Sequence, residues 1–443
     1  MLLIFDILFY LSYGGVNCVS MQFSGFINDC LSGRSQIDWN YYSTARIEKD
    51  IFQAEGAVRF IEQYFESGRK ELPLILSPEP NAQYALPPER AIHTVSGFFL
   101  GLLIEDCLTG REPLCITVPE HYPFPYLWFL AFLYHDYGYC VAEKPNAPIA
   151  VPASAPIPDR DRFCMYNRAS AKEKIALKQV TSALGITLSP SSHGRIAPCG
   201  VEHAGRRSVS LDNALLCELT QKSFTVDRRP SLQFNTGAKI KGHQYTGTVV
   251  TRYFNYIVNK HKHVEHGIIG GYLFYDRMIK NYLSSYLSAF CEARQPIPLS
   301  EFYYRGRRFS ENQLPIFSYI ADCIIAHNIW RLSERHRKDY EHYGLDAALG
   351  NEYNAINFKD NPLLYILVIT DTLDPIKAYD KISPRTVAES INIEYRRGSR
   401  EISFSSSCND VDIAVLHKKT KGLEDWTLAR CTELKDGAFT LYL

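Results

Sequence analysis

The stretch FLYHDYGYC, residues 132–140, sets a condition that any fold of this chain has to meet: a run of large apolar residues ends in an adjacent histidine and aspartate, His135 and Asp136. From Leu127 to Tyr134 nearly every side chain is apolar or aromatic, which predicts a buried helix opening near Pro125 and stopping at Gly138. A buried imidazole and a buried carboxylate at the inner end of such a helix are costly unless paired, hydrogen-bonded or bound to a metal ion. Their partners have to come from elsewhere in the chain.

Four other segments offer them. In RAIHTVSGFFLGLLIEDCL, His93 shares a helical face with Gly97, Leu100 and Ile104. His327 continues the stripe Ile316, Ile320, Cys323, Ile324, and Asp371 follows Leu364 and Leu367 on an apolar face where an unpaired carboxylate would be expensive. His266 opens a face with Gly270, Leu273 and Arg277, and the glycines at 267, 270 and 271 permit close approach of another backbone. A single histidine on an apolar helix face is ordinarily a hydrogen-bonded core residue. Five helices that each turn a His or Asp inward are explained more economically by one shared site. Imidazoles and carboxylates without thiolate suit a borderline or hard divalent cation.

Helical periodicity recurs at 45–70, 88–108, 125–137, 263–290, 313–337 and 361–380, so helix is the common denominator. The proline-dense stretch KPNAPIAVPASAPIPDRDR reads as a connector into a polar, weakly periodic segment that ends near residue 245. After Pro384 the pattern changes to short alternating or β-branched runs, INIEYRR, EISFSS and AFTLYL among them. The expected organisation is an N-terminal, mostly helical region (1–85), a core in two parts (86–145 and 246–385), an insertion between them (146–245) and a small α/β or β C-terminal region (386–443).

The chain's 48 basic residues balance its 48 acidic ones, which argues against bulk binding of nucleic acid. Twelve scattered cysteines with no Cys-x-x-Cys pair indicate neither a zinc ribbon nor a disulfide framework, and a reducing cytoplasm is the expected location. The apolar start MLLIFDILFYLSYGGVNCVS contains Asp6, lacks a basic leader and breaks at Gly14–Gly15, so no stable membrane insertion is expected.

The order His93, His135–Asp136, His266, His327, Asp371 resembles the H…HD…H…H…D pattern of the HD-domain superfamily of metal-dependent phosphohydrolases, over residues 86–145 and 250–385. The fold class this implies is mainly α: an HD-type helical bundle core with an inserted segment and a small β-containing C-terminal appendix. By the resemblance His93, His135, Asp136 and Asp371 hold one divalent ion, and Asp136 bridges to a second held by His266 and His327 (Mn, Mg, Co, Zn or Fe), with His135 and Asp136 the catalytic pair. HDYGYC departs from the HDIGK and GYP signatures of the cyclic-dinucleotide branch, which is disfavoured.

The function expected from the resemblance is hydrolysis of a phosphoester, a nucleotide or nucleotide-derived substrate, by a metal-activated hydroxide. Lys377, six residues after Asp371, and Arg305, Arg307 and Arg308 of YYRGRRF are the candidate phosphate-binding cations. An HD-type diiron oxygenase and a non-catalytic metal-binding signalling module are the alternatives.

Overall fold

The computed structural model describes residues 18–40, 50–66, 88–110, 112–136, 232–240, 301–310, 312–328 and 355–443, the pairs 149–150, 162–163, 209–210 and 263–264, and selected positions between 266 and 298 and at 338 and 342. Residues 1–17 and most of the expected insertion lie outside the described residues.

Apolar helices make the centre. Helix α1 (Phe23–Leu31) and α2 (Ala54–Glu66) precede α3 (Pro88–Thr109), in which every residue from 91 to 108 is buried. A helix apolar on all sides has no solvent face to present and belongs in the middle of a fold. This is the one described helix long and apolar enough to cross a membrane, and it is wholly enclosed by the protein. Helix α4 (Phe124–His135) opens with a proline in its first turn and packs along α3. The contact is close because Gly97 and Gly101, one turn apart on α3, lie under the rings of Phe132 and Trp128, one turn apart on α4, with no room for a Cβ. Trp128 Nε1 donates to the Phe98 carbonyl at 2.8 Å, which fixes the indole in that groove.

Helix α5 (Gln313–Ala326) ends at His327. The described positions from His266 to Tyr282 are helical, and Gly271 rests against the Ala321 carbonyl and Ile325 of α5, so the glycine permits the close approach there. Helix α6 (Pro362–Leu373) is capped by Asn361, which accepts from Leu364 N. The expected single helix over 361–380 is broken at Asp374, because Pro375 cannot continue the backbone ladder; Asp374 instead caps the short helix α7 (Pro375–Ala378).

The expectation of a mainly α fold is not met. Beside the helices stand a five-stranded and a four-stranded antiparallel sheet together with two-stranded ones, so the architecture is mixed α and β. The five-stranded sheet takes strand β1 (Cys18–Gln22) from the start of the described chain and sets it against β8 (Ile391–Arg396), followed by β9 (Glu401–Ser406), β11 (Ala438–Tyr442) and β10 (Arg430–Cys431). Alternation made the C-terminal part legible: Ile391, Ile393 and Tyr395 on β8, Ile402 and Phe404 on β9, and Phe439 and Leu441 on β11 are buried. These side chains, with those of α8 (Pro384–Ser390) and α9 (Ile413–Lys421), merge with the helical centre into one hydrophobic core.

The four-stranded sheet has the order β3 (Tyr122–Pro123), β2 (Cys115–Val118), β4 (Leu232–Phe234), β5 (Lys239–Ile240). Residues 232–240, placed by sequence in the insertion, therefore pack as a hairpin against the core, with Leu232, Phe234, Ala238 and Ile240 buried. A separate hairpin pairs β6 (Glu301–Tyr304) with β7 (Arg307–Ser310). Strands of two to five residues leave too little alternation to be seen against a helical background.

Candidate metal centre

Five segments bring one polar cluster into this apolar centre. His135, the last residue of α4, donates from Nδ1 to the Phe132 carbonyl three residues back, at 2.6 Å. His327, at the end of α5, does the same to the Ile324 carbonyl at 2.5 Å. In each case a carbonyl left over at a helix end is satisfied, the tautomer is fixed, and the Nε2 lone pair is turned inward. His93 on α3 binds Asp374 Oδ2 through Nδ1 at 2.5 Å, and Ser96 Oγ holds the same carboxylate oxygen at 3.0 Å.

The inward atoms form a compact figure. His93 Nε2 stands 3.2 Å from His135 Nε2 and 3.1 Å from Asp371 Oδ1, and His135 Nε2 stands 3.3 Å from the same oxygen. Ligands around a four-coordinate ion with bonds of about 2.0 Å lie about 3.3 Å apart, so these three atoms have the spacing of one face of a coordination tetrahedron. All three residues are buried, and together they form a group that can hold a metal ion. Asp136 adjoins it, Oδ2 at 3.7 Å from His93 Nε2 and Oδ1 at 3.6 Å from His135 Nε2.

Asp136 Oδ1 is fully buried and accepts no hydrogen bond, although His266 Nε2 lies 3.3 Å away. A buried carboxylate oxygen without a proton donor calls for a cation. At the same His266 atom, Asn328 Nδ2 sits 3.0 Å from Nε2, and it lies 2.9 Å from His327 Nε2. The donor set therefore fits divalent cations: imidazole Nε2 atoms and carboxylate oxygens, with no thiolate.

Two basic groups complete the cluster. Arg90 Nη1 meets Asp136 Oδ2 at 2.6 Å, and Lys377 Nζ meets Asp371 Oδ1 at 2.5 Å. Burial alone would raise the Asp136 pKa, but the electrostatic pull of its neighbours, the Arg90 and Lys377 cations among them, outweighs it and holds the carboxyl far below its usual range. Asp371 is likewise pulled well down against burial, first by Lys377 and then by its histidine neighbours. Burial disfavours a charged His93, yet its hydrogen bonds to Asp371 and Asp374 prevail and lift its pKa to about 9. Lys377 is the most exposed group of the cluster, its side chain 37% exposed against 11% or less for the carboxylates Asp136 and Asp371. Lys419 of α9 adjoins the same residue, its Nζ donating to the Lys377 backbone carbonyl at 3.2 Å.

All six expected ligands, His93, His135, Asp136, His266, His327 and Asp371, thus converge, and Lys377 joins them. The arginines of YYRGRRF do not. Arg308 pairs with Glu301 of its own hairpin and with Glu120, while Arg305 lies over the ring of Tyr304 at the turn; the side chain of Arg307 lies outside the described ones. Three members escaped the sequence reading: Arg90, Asp374 and Asn328. Arg90 lies three residues before His93, one helical turn along the same face, and Asp374 lies three after Asp371. Helical spacing from the histidine and aspartate already singled out was the available signal.

Comparison of the chain with protein-family models, with curated proteins and with solved structures finds no match.

Proposed function

We propose that this protein is a metal-dependent phosphohydrolase of the HD type, acting on a small phosphorylated substrate, a nucleotide or a nucleotide derivative. The observation that carries the reading is the pairing of a metal-spaced triangle, His93, His135 and Asp371, with two cations, Arg90 and Lys377, on the carboxylates beside it. In this reading one ion is held by the triangle with Asp136, and a second by Asp136, His266 and His327. Bound there, the ions supply a hydroxide nucleophile and charge stabilisation for an in-line displacement at phosphorus.

The protein's own groups do the rest. His135 and His327 keep their Nε2 lone pairs inward through the Nδ1 bonds to Phe132 and Ile324. Asp374 holds His93 in place. Arg90 and Lys377 neutralise Asp136 and Asp371 while no other cation is present. Beside bound metal, the same two side chains would be placed to meet phosphate oxygens, Arg90 in the two-pronged geometry a guanidinium favours and Lys377 from the solvent-facing side. Two cations, Arg90 and Lys377, on the carboxylates of the cluster favour an anionic phosphate substrate over dioxygen, which needs none.

The test is phosphate release from a panel of nucleotides by metal-reconstituted protein, with Asp136→Asn as control. Release that depends on added Mn²⁺ and falls by orders of magnitude in the variant supports the reading. Oxygen uptake with Fe²⁺ and no phosphate release would replace it with the oxygenase.

A further inference from the structure

Asn328 holds an unusual position. Its carboxamide nitrogen is in hydrogen-bond range of two imidazole nitrogens at once, His266 Nε2 at 3.0 Å and His327 Nε2 at 2.9 Å, and the residue is 8% exposed. The His327 ring presents a lone pair there because its Nδ1–H is committed to the Ile324 carbonyl. An amide has two N–H bonds to give, so the NH₂ group serves both rings. With no cation present this is the favoured orientation, since the amide oxygen in its place would face the His327 lone pair. Next to it, Asp136 Oδ1 is buried, lacks a hydrogen-bond donor and lies 3.3 Å from His266 Nε2.

We propose that Asn328 is a switchable ligand of the second cation position: rotated by half a turn about its last side-chain bond, it offers Oδ1 to an ion shared with His266, His327 and Asp136. The inference rests on the metal-centre reading above and adds a residue to it. The spacing supports it, because the amide group, both imidazole nitrogens and the carboxylate oxygen are separated by 2.9–3.3 Å along the contacts given, close to the ligand spacing expected around a small divalent ion. The chemistry supports it too. Side-chain carbonyl oxygen, imidazole and carboxylate together suit Mn²⁺ and its neighbours. Electrostatics makes the turn depend on the metal: lone pairs repel the amide oxygen when no ion is present, and the ion attracts it when bound. A nearly isosteric aspartate would keep the position's shape and add charge.

The probe is Mn²⁺ alone, titrated calorimetrically into metal-free full-length protein, with metal content and the exchange-coupled Mn²⁺ pair signal read on the same samples. The wild type should take up two ions. Asn328→Ala should keep the first with unchanged affinity and bind the second at least tenfold more weakly, losing the coupled signal, and Asn328→Asp should bind the second several-fold more tightly. An Asn328→Ala protein that binds the second ion as well as or better than wild type would show that the amide only fills the position, and would overturn the proposal. A wild type that binds one ion overturns it while leaving the His93–His135–Asp371 site standing; a wild type that binds none removes the metal-centre reading and this proposal with it. If the alanine variant does not fold, the aspartate variant decides, with unchanged or weaker second-ion binding counting against.

Discussion

The Nε2 atoms of His93 and His135 face one another at 3.2 Å in the interior, each ring having already bound an oxygen through Nδ1, from Asp374 and Phe132 respectively. Between two such nitrogens there is place for one proton or one metal ion. Without metal, the hydrogen bonds to Asp371 and Asp374 favour a proton on His93, with which an ion has to compete. Adding Mn²⁺ at a hundred times its dissociation constant should therefore stabilise the protein by about 2.7 kcal/mol, since the ion binds the folded chain. Asp371→Asn should lose most of that gain. Thermal denaturation with and without Mn²⁺ measures both, and an unchanged melting temperature in the wild type would argue against a cation site.

Arg90 and Asp136 make a second coupling that the metal should relieve. The guanidinium is 13% exposed and the carboxylate 1%, so removing the former strands a buried charge. In metal-free protein Arg90→Met should cost about 3–5 kcal/mol, the usual cost of breaking a buried pair from one side. With saturating Mn²⁺ the loss should shrink, because the ions take over neutralisation of Asp136. Urea denaturation in the two states reads the difference. Equal losses would mean that Arg90 does not share its task with a metal.

The ligand set was legible because a polar residue stands out against an apolar helix. Histidines and aspartates at helical spacing from leucines and isoleucines can only point inward, and His93, His135, Asp136, His266, His327 and Asp371 do. What was not legible has physical reasons. Arg90 precedes the apolar stretch and reads as a solvated helix start, yet its long side chain reaches back to Asp136 from the first turn. Of the arginines of YYRGRRF, Arg308 pairs with Glu301 across its own hairpin and with Glu120 between β2 and β3, and Arg305 lies over the Tyr304 ring, partners that a charge cluster in the sequence does not name. Strand β1 and the four-stranded sheet escaped because their pairings join distant segments: Cys18–Gln22 with Ile391–Arg396, and Cys115–Val118 with Leu232–Phe234. Local periodicity carries no information on such partners.

Gly97 and Gly101 separate packing from metal binding. An added methyl at either meets an aromatic ring of α4, Phe132 or Trp128, so each alanine variant should lose about 1–3 kcal/mol from overpacking. Phe132, however, lies against His135 with ring centroids 4.4 Å apart and against His93 at 5.5 Å. Gly97→Ala should therefore also weaken Mn²⁺ binding by displacing those rings, whereas Gly101→Ala, one turn further from the site, should leave it near the wild-type value. Calorimetric titration of both variants checks the contrast.

The last expectation concerns pH and lies outside the metal centre. Glu105 of α3 is buried, and its Oε1 accepts from Leu114 N at 2.5 Å and from Thr109 Oγ1 at 3.1 Å, tying the end of α3 to the approach to β2. Burial raises its pKa from 4.5 to about 7, more than the two hydrogen bonds lower it. A carboxyl with a higher pKa folded than unfolded binds more protons in the folded state, so stability falls as pH rises between the two values. From pH 4.5 to about 7 the loss from this group should approach about 3 kcal/mol, and it should be complete above that window. Glu105→Gln keeps an acceptor oxygen for Leu114 N but cannot ionise. Other groups titrate in the same range, so the informative quantity is the difference in unfolding free energy between wild type and variant, measured by urea denaturation across pH 4 to 8. It should shift in favour of the variant as pH rises through that window and level off above it. A difference that does not change with pH would place the Glu105 carboxyl near its ordinary pKa, with its charge balanced by surroundings other than those two hydrogen bonds.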